Sequence, residues 1–201
     1  MKTIYLVRHA ETTWNLEGKV QGSRDTPLSL DGLAQTAKTV AFLSALRFDT
    51  IFTSPLTRAR AIAEPVGINL GVSPIVMPEL REIEFGGWEG HTWNEIETMY
   101  PTTLAAWELK SLKARPDGGE SLADVSRRAE KVRSMVESSS GELVLVVAHG
   151  GFNRVLMSVL LDLPLSSSYN SFTQPNACIS IFEAETSKWQ ARVIDSTCHL
   201  V

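Results

Sequence analysis

Two short stretches of this chain carry side chains that could handle an anion. In the first, Arg8-His9-Ala10-Glu11-Thr12 with Trp14-Asn15, a guanidinium, an imidazole, a hydroxyl and an amide fall close together. A planar guanidinium fork matches phosphate oxygens, and a neutral imidazole is a competent nucleophile toward phosphorus. In the second, His149-Gly150-Gly151, another imidazole precedes two glycines that let backbone come close to a ligand. Arg58 adds a second guanidinium in the first turn of a helix that Ser54 would cap, so its charge and the positive helix end favour the same anion. Arg60, two positions on, points to another side of that helix and reads as solvated or ion-paired. Arg8, His9, Arg58 and His149 would surround a phosphoryl group with nitrogen donors and spread the charge that develops on it.

Transfer from such a centre needs a proton donor for the departing oxygen. Glu82 and Glu84 both occur in Glu79-Leu80-Arg81-Glu82-Ile83-Glu84-Phe85-Gly86. A carboxyl buried beside a phosphate is pushed toward its protonated form by the anion and by desolvation, and so becomes a usable acid near neutrality. Spacing does not choose between the two.

These groups act together only if the fold brings them to one place. Thr3 to Val7 (TIYLV) is a short strand that breaks off at Arg8-His9, and Leu143 to Ala148 (LVLVVA) is a central parallel strand covered on both faces, ending at His149. Further strands are expected at Asp49–Thr53 and Ser73–Met77, with a closing hairpin of Ala177–Glu183 and Trp189–Asp195. Helices fall between them. One follows Ser29 to about Leu46, and one runs from Pro55 to about Glu64, ended by Pro65 and Gly67. A long one carries the stripe Leu122, Val125, Ala129, Val132 and Val136 behind a Ser121–Asp124 capping pattern, and one runs from Asn153 to Leu161. Thr92–Glu95 fits a capping box, in a helix that Pro101 ends.

Alternation of this kind predicts an α/β three-layer sandwich with a mainly parallel central sheet, helices on both faces and one antiparallel edge strand. Ligand sites in such sheets lie at the carboxyl ends of strands, where His9 and His149, two of the four histidines, both fall. Between Gly86 and Gly119 the pattern changes to short helical pieces with Trp88, Trp93 and Trp107, an excursion expected to cover the site. At 201 residues, 43% hydrophobic and 21% charged, the chain fits one globular domain over 1–201.

A net charge of −4 argues against binding long nucleic acid and leaves any anion to be met locally. Cys178 and Cys198 have neither zinc-site nor disulfide-framework spacing. His9 and His149 have no Asp or Cys in a ligand pattern, and neighbouring arginines disfavour a cation, so no metal or other cofactor is expected. With no signal-peptide pattern or membrane-length apolar run, the expected setting is the cytoplasm, away from membranes. The terminal hairpin leaves an edge on which a homodimer could pair.

Leu6 to Asn15 (LVRHAETTWN), Gln21-Gly22, Ser54 to Ala59 (SPLTRA), Leu80-Arg81-Glu82, Phe85 to Gly90 (FGGWEG), Gly118 to Ser121 (GGES) and Ala148-His149-Gly150 resemble the histidine phosphatase superfamily. The likeness is to the cofactor-dependent phosphoglycerate mutase branch and its small phosphatase relatives, spans most of the chain and keeps the family's motif order. It implies a phosphoglycerate mutase-like fold and a phosphohistidine formed on His9. Arg8, Arg58 and His149 would hold the phosphoryl group and Glu82, not Glu84, would serve as acid. Asn15 matches the family's phosphate-pocket asparagine, Gln21 and Gly22 fall where the family lines its substrate site, and Gly150 follows the second histidine. Ala10 stands where many relatives have glycine, which needs a negative φ there, and Ala61-Ile62 replaces a common Gln-Thr in a packing position.

The implied substrate is a small phosphate ester of the phosphoserine, α-ribazole phosphate or sugar phosphate type. Transfer between phosphoglycerates is the alternative. Mutases of the family are longer, with an insertion that adds basic residues, whereas the excursion here holds only Lys110, Lys113 and Arg115 as cations. That balance favours hydrolysis. A protein that kept the fold and lost catalysis is disfavoured because all four cluster residues and Glu82 are present.

Overall fold

A computed structural model describes residues 1–201 except Lys110 and Ser187. Among the described residues, strands β1 (Lys2–Arg8), β2 (Thr50–Thr53), β3 (Ile75–Val76), β4 (Leu143–Ala148), β5 (Ile179–Ala184) and β6 (Trp189–Ser196) form one sheet in the order β3-β2-β4-β1-β5-β6. The β1, β2, β3 and β4 neighbours pair in parallel, and the β5–β6 hairpin completes one edge with β5 antiparallel to both β1 and β6. The α/β sandwich read from the sequence is therefore the fold.

Register is what brings the two histidines together. Thr3 opposes Leu143 and Arg8 opposes Ala148, so His9 and His149 leave adjacent strands side by side, and His9 N–H donates to Ala148 O at 3.0 Å. Alternation along the strands separates two cores. Ile4, Leu6, Val144, Val146 and Ala148 join the stripe of α6 (Leu122–Ser138) and the apolar side of α7 (Gly150–Leu160). Val7, Leu145 and Val147 meet α2 (Leu30–Ser44) and α3 (Thr57–Leu70) on the other face.

Three elements, α3, α7 and β3, differ most from the sequence reading. Helix α3 starts at Thr57, and Ser54 is not its cap: Asp25, from the loop ahead of α2, accepts from Thr57 N at 2.9 Å. It also runs through Pro65 and Gly67 to Leu70, because Ile62, Ala63 and Val66 are buried in the core of that sheet face, and it ends at left-handed Gly71. Helix α7 starts at Gly150 and not Asn153, since Glu82 accepts from Gly151 N and Phe152 N and so caps it from another segment. Only Ile75 and Val76 of the expected third strand pair, because prolines at 74 and 78 have no N–H to give the ladder.

The excursion contains α4 (Trp93–Met99) and α5 (Pro101–Glu108); Pro101 opens α5 as well as following α4. Its aromatic rings interlock around Trp88, which is fully buried. Lys110 lies outside the described residues. Short helices α1 (Thr13–Leu16) and α8 (Leu165–Ser168) lie in the connections. No helix among the described residues is long and apolar enough to cross a membrane.

Candidate active site

A cavity of about 170 Å³ opens at the carboxyl ends of β1 and β4. Of the residues singled out in the sequence, Arg8, His9, Asn15, Gln21, Gly22, Arg58, Glu82 and Gly150 line it. His149 does not: its ring is fully buried behind His9, with ring centroids 5.2 Å apart.

Each group is held by neighbours that fix its chemistry. Nδ1 of His9 lies 2.7 Å from the Ala10 carbonyl oxygen, which can only accept, so Nδ1 carries the proton and Nε2 the lone pair. Burial, and then the charges of Arg58 and Arg8, hold the His9 pKa well below its ordinary value, against a small opposing effect of the Ala10 bond. His149 is likewise held well down by burial, Arg58 and His9. Its Nε2 sits 2.7 Å from Ser54 Oγ, and its buried Nδ1 has no partner within the protein. Ser54 thus orients a histidine instead of capping a helix.

The guanidinium groups are anchored by main-chain carbonyls. Arg58 donates to Gly22 O at 2.9 Å and Arg24 O at 2.6 Å, with Asp25 at 3.8 Å, and Arg8 donates to Gln174 O. Burial draws both pKa values down, opposed chiefly by the charge of Glu82. Nε of each is buried without a partner, so unmatched donors concentrate here, as suits a site for an anion. Arg60 faces away and pairs with Glu64 at 2.6 Å.

Gly22 is required by its backbone, and Gly150 gives room to Arg8. Gly22 has φ +55°, and a Cβ there would lie 2.0 Å from Glu89 Oε1. At Gly150 a Cβ would come within 3.1 Å of Arg8 Nε, so this glycine admits the arginine to the start of α7. Ala10 has no positive φ, which is why alanine is accommodated. Ile62 is buried in the core and away from the cavity.

Asn15 Oδ1 accepts from Thr12 N, Thr12 Oγ1 and Asn176 Nδ2 at 3.0 to 3.1 Å, and Gln21 Oε1 accepts from Thr26 Oγ1 at 2.6 Å. Both amides keep their NH₂ ends for a ligand. The carboxylate of Glu82 accepts from Ile83 N, Gly151 N and Phe152 N at 2.8 to 3.0 Å and lines the cavity, whereas Glu84 is exposed and outside it. Among the described residues no cluster of three or more His, Cys, Asp or Glu is placed to hold a metal ion.

Sequence reasoning missed Lys19, Arg154 and Tyr169. Lys19 is paired with Glu17 at 2.6 Å. Arg154 stands one turn after Gly150 on the same face of α7, and its guanidinium lies 5.5 Å from the Tyr169 ring centre. A helix start at Gly150 would have exposed that i, i+4 relation; starting it at Asn153 hid it. Burial pushes the Tyr169 hydroxyl up to about 12.

Residues 4–197 match the family model of the Histidine phosphatase superfamily (branch 1). Phosphoserine phosphatase 1 of Hydrogenobacter thermophilus is 32% identical over 201 residues, covering 100% of this chain and 95% of that protein. A Cronobacter sakazakii protein named "Probable phosphoglycerate mutase" is 32% identical over 200 residues, covering 95% of this chain and 89% of its own. Among solved structures, a mycobacterial glucosyl-3-phosphoglycerate phosphatase complexed with VO3 superposes with a TM-score of 0.88 at 29% identity, covering 98% of this chain and 100% of that one.

Proposed function

The chain belongs to the histidine phosphatase superfamily, and we propose that it hydrolyses a small phosphate monoester through a phosphohistidine on His9. The observation that carries this reading is the His9 tautomer. A neutral ring with Nδ1–H fixed on Ala10 O presents the Nε2 lone pair in a cavity lined by Arg8 and Arg58. Nε2 attacks phosphorus, the P–O bond to the leaving group breaks, and Glu82 gives that oxygen its proton. A water then attacks the phosphohistidine, Glu82 takes the proton back, and inorganic phosphate and neutral His9 result.

Arg8, Arg58 and the Asn15 amide hold the phosphoryl oxygens as their charge grows, while His149, buried behind the cavity with Ser54 Oγ 2.7 Å from its Nε2, backs the His9 ring. Gln21, Gly22 and the backbone at Gly150 bound the same space. The proposal extends to a cytoplasmic setting, which fits two free thiols at Cys178 and Cys198.

Hydrolysis is favoured over transfer because no cation of the described excursion lines the cavity: Lys113 is exposed, and Arg115 pairs with Asp124 at 2.9 Å. The test is phosphate release over a panel of phosphoserine, α-ribazole phosphate, sugar phosphates and phosphoglycerates, with isomerisation of 3-phosphoglycerate as the counter-assay. Release without isomerisation is expected; isomerisation that outpaces release would reverse the assignment.

A further inference from the structure

We propose that Asp195, on the outermost strand β6 and outside the cavity, is a positioning residue for Arg8, acting through one turn of backbone at Thr173-Gln174. This rests on the phosphatase reading only in taking Arg8 as a phosphate ligand. The Asp195 carboxylate collects the donors of that turn. Oδ2 accepts from Thr173 N at 2.7 Å, Gln174 N at 3.0 Å and Thr173 Oγ1 at 3.0 Å. Oδ1 accepts from Gln174 Nε2 and, at 3.3 Å, from Ser180 Oγ.

The opposite side of the turn holds arginines. Gln174 O accepts from Arg8 Nη1, and Thr173 O accepts from Arg154 Nη2 at 3.0 Å. The peptide group joining the two residues therefore has its oxygen on Arg154 and its N–H on Asp195, while the next carbonyl holds Arg8.

Two features show that the chain is shaped for this contact. Gln174 and Asp195 both have left-handed φ, 49° and 53°, without being glycine. The pairing of β5 with β6 slips between Ile179–Ser196 and Ile181–Val193, so the bulged segment includes Asp195 and re-aims it, with Asp195 N donating to Ser180 Oγ at 3.0 Å. Gln174 is itself buried and tied to Asn153 Nδ2 at 2.9 Å.

The arrangement answers a problem of charge. Among the described residues no carboxylate forms an ion pair with Arg8 or Arg154, although both line the cavity. A carboxylate set directly on Arg8 would cancel the charge that must meet the phosphate and would occupy its donor edge. Placed one residue of backbone away, Asp195 polarises the carbonyl that grips Arg8 and leaves the rest of the guanidinium for an anion.

Asp195→Asn keeps the shape, removes the charge and replaces one accepting oxygen with a group that cannot accept. Binding of inorganic phosphate, measured by calorimetry, is compared in the wild type, Asp195→Asn, Arg8→Ala and the double variant. The expected result is a loss of about tenfold for Asp195→Asn in the wild-type background and a clearly smaller loss in the Arg8→Ala background. The same fold loss in both backgrounds, or none in the wild type, overturns the proposal. If Asp195→Asn does not fold, Asp195→Gly, which suits the left-handed φ and removes the carboxylate, carries the same cycle. Because phosphate binding is read without turnover, a wild type that binds phosphate but cleaves no ester would count against the phosphatase reading alone.

Discussion

The floor of the site consists of polar side chains fastened to main chain, whereas the cover, residues 86–119, is fastened by ring packing and close backbone approach. On the floor, His9 is tied to Ala10 O, Arg58 to Gly22 O and Arg24 O, and Glu82 to Gly151 N and Phe152 N. In the cover, Trp88 and Trp107 stand 5.9 Å apart edge to face, and Phe85, just ahead of it, meets Trp107 at 5.6 Å. Directional bonds hold an atom to a fraction of an ångström, which chemistry at phosphorus needs; aromatic packing fixes shape and leaves tolerance at the rim. The floor carries the groups proposed to react, and among the described residues of 86–119 Trp93 alone lines the cavity.

The comparison predicts the largest separation for Glu82. Glu82→Gln should cost about 10² to 10⁴ in rate on alkyl phosphates and much less on p-nitrophenyl phosphate, whose phenolate leaves without a proton. A structural fault would lower both rates alike, so equal losses would remove Glu82 from the acid role.

The buried histidines of the floor should appear in the pH dependence of stability. With folded pKa values well below 6.5, His9 and His149 stay neutral while the unfolded chain takes up protons. Their contribution is complete above that value and is lost as pH falls toward the folded pKa, at about 1.4 kcal/mol per pH unit for each histidine. Urea unfolding at pH 7.5 and 5.5 should show a smaller drop for His149→Gln than for the wild type; an unchanged drop would contradict the assigned burial effect.

The smallest effect is expected in the cover. Trp93 is 47% exposed yet lines the cavity. Trp93→Ala should change KM by a few fold, on the order of 1 kcal/mol, unequally across esters and with little change in the burst of a good leaving group. A uniform fall in kcat across substrates would place Trp93 with the floor.

The same division governs what could be read from sequence. Strands β1 and β4 were legible because local apolar runs stop at Arg8-His9 and at His149-Gly150, and the capping boxes at Thr92 and Ser121 lie within four residues of chain and occur as read. The stripe from Leu122 to Val136 is fully buried, again a local signal. Helix starts set from a distance were not legible: Asp25 caps α3 and Glu82 caps α7, and nothing near Thr57 or Gly150 announces either. Arg8 and His9 were readable from position at a strand end. Gln21 and Gly22 rested on the family likeness alone, and Arg154 was lost with the misplaced start of α7. His149 sits at a strand end as read, but its place behind the cavity, against Ser54 ninety-five residues away, was not legible.

The most direct test of the account is the covalent state of His9 during turnover. Rapid acid-free quenching with a labelled phosphate ester, followed by peptide mapping, should find an acid-labile phosphoryl group on His9 that decays at the rate of phosphate release. None should form in His9→Ala. Steady turnover with no label on His9, or a His9→Ala variant that retains near-normal rates, would contradict it.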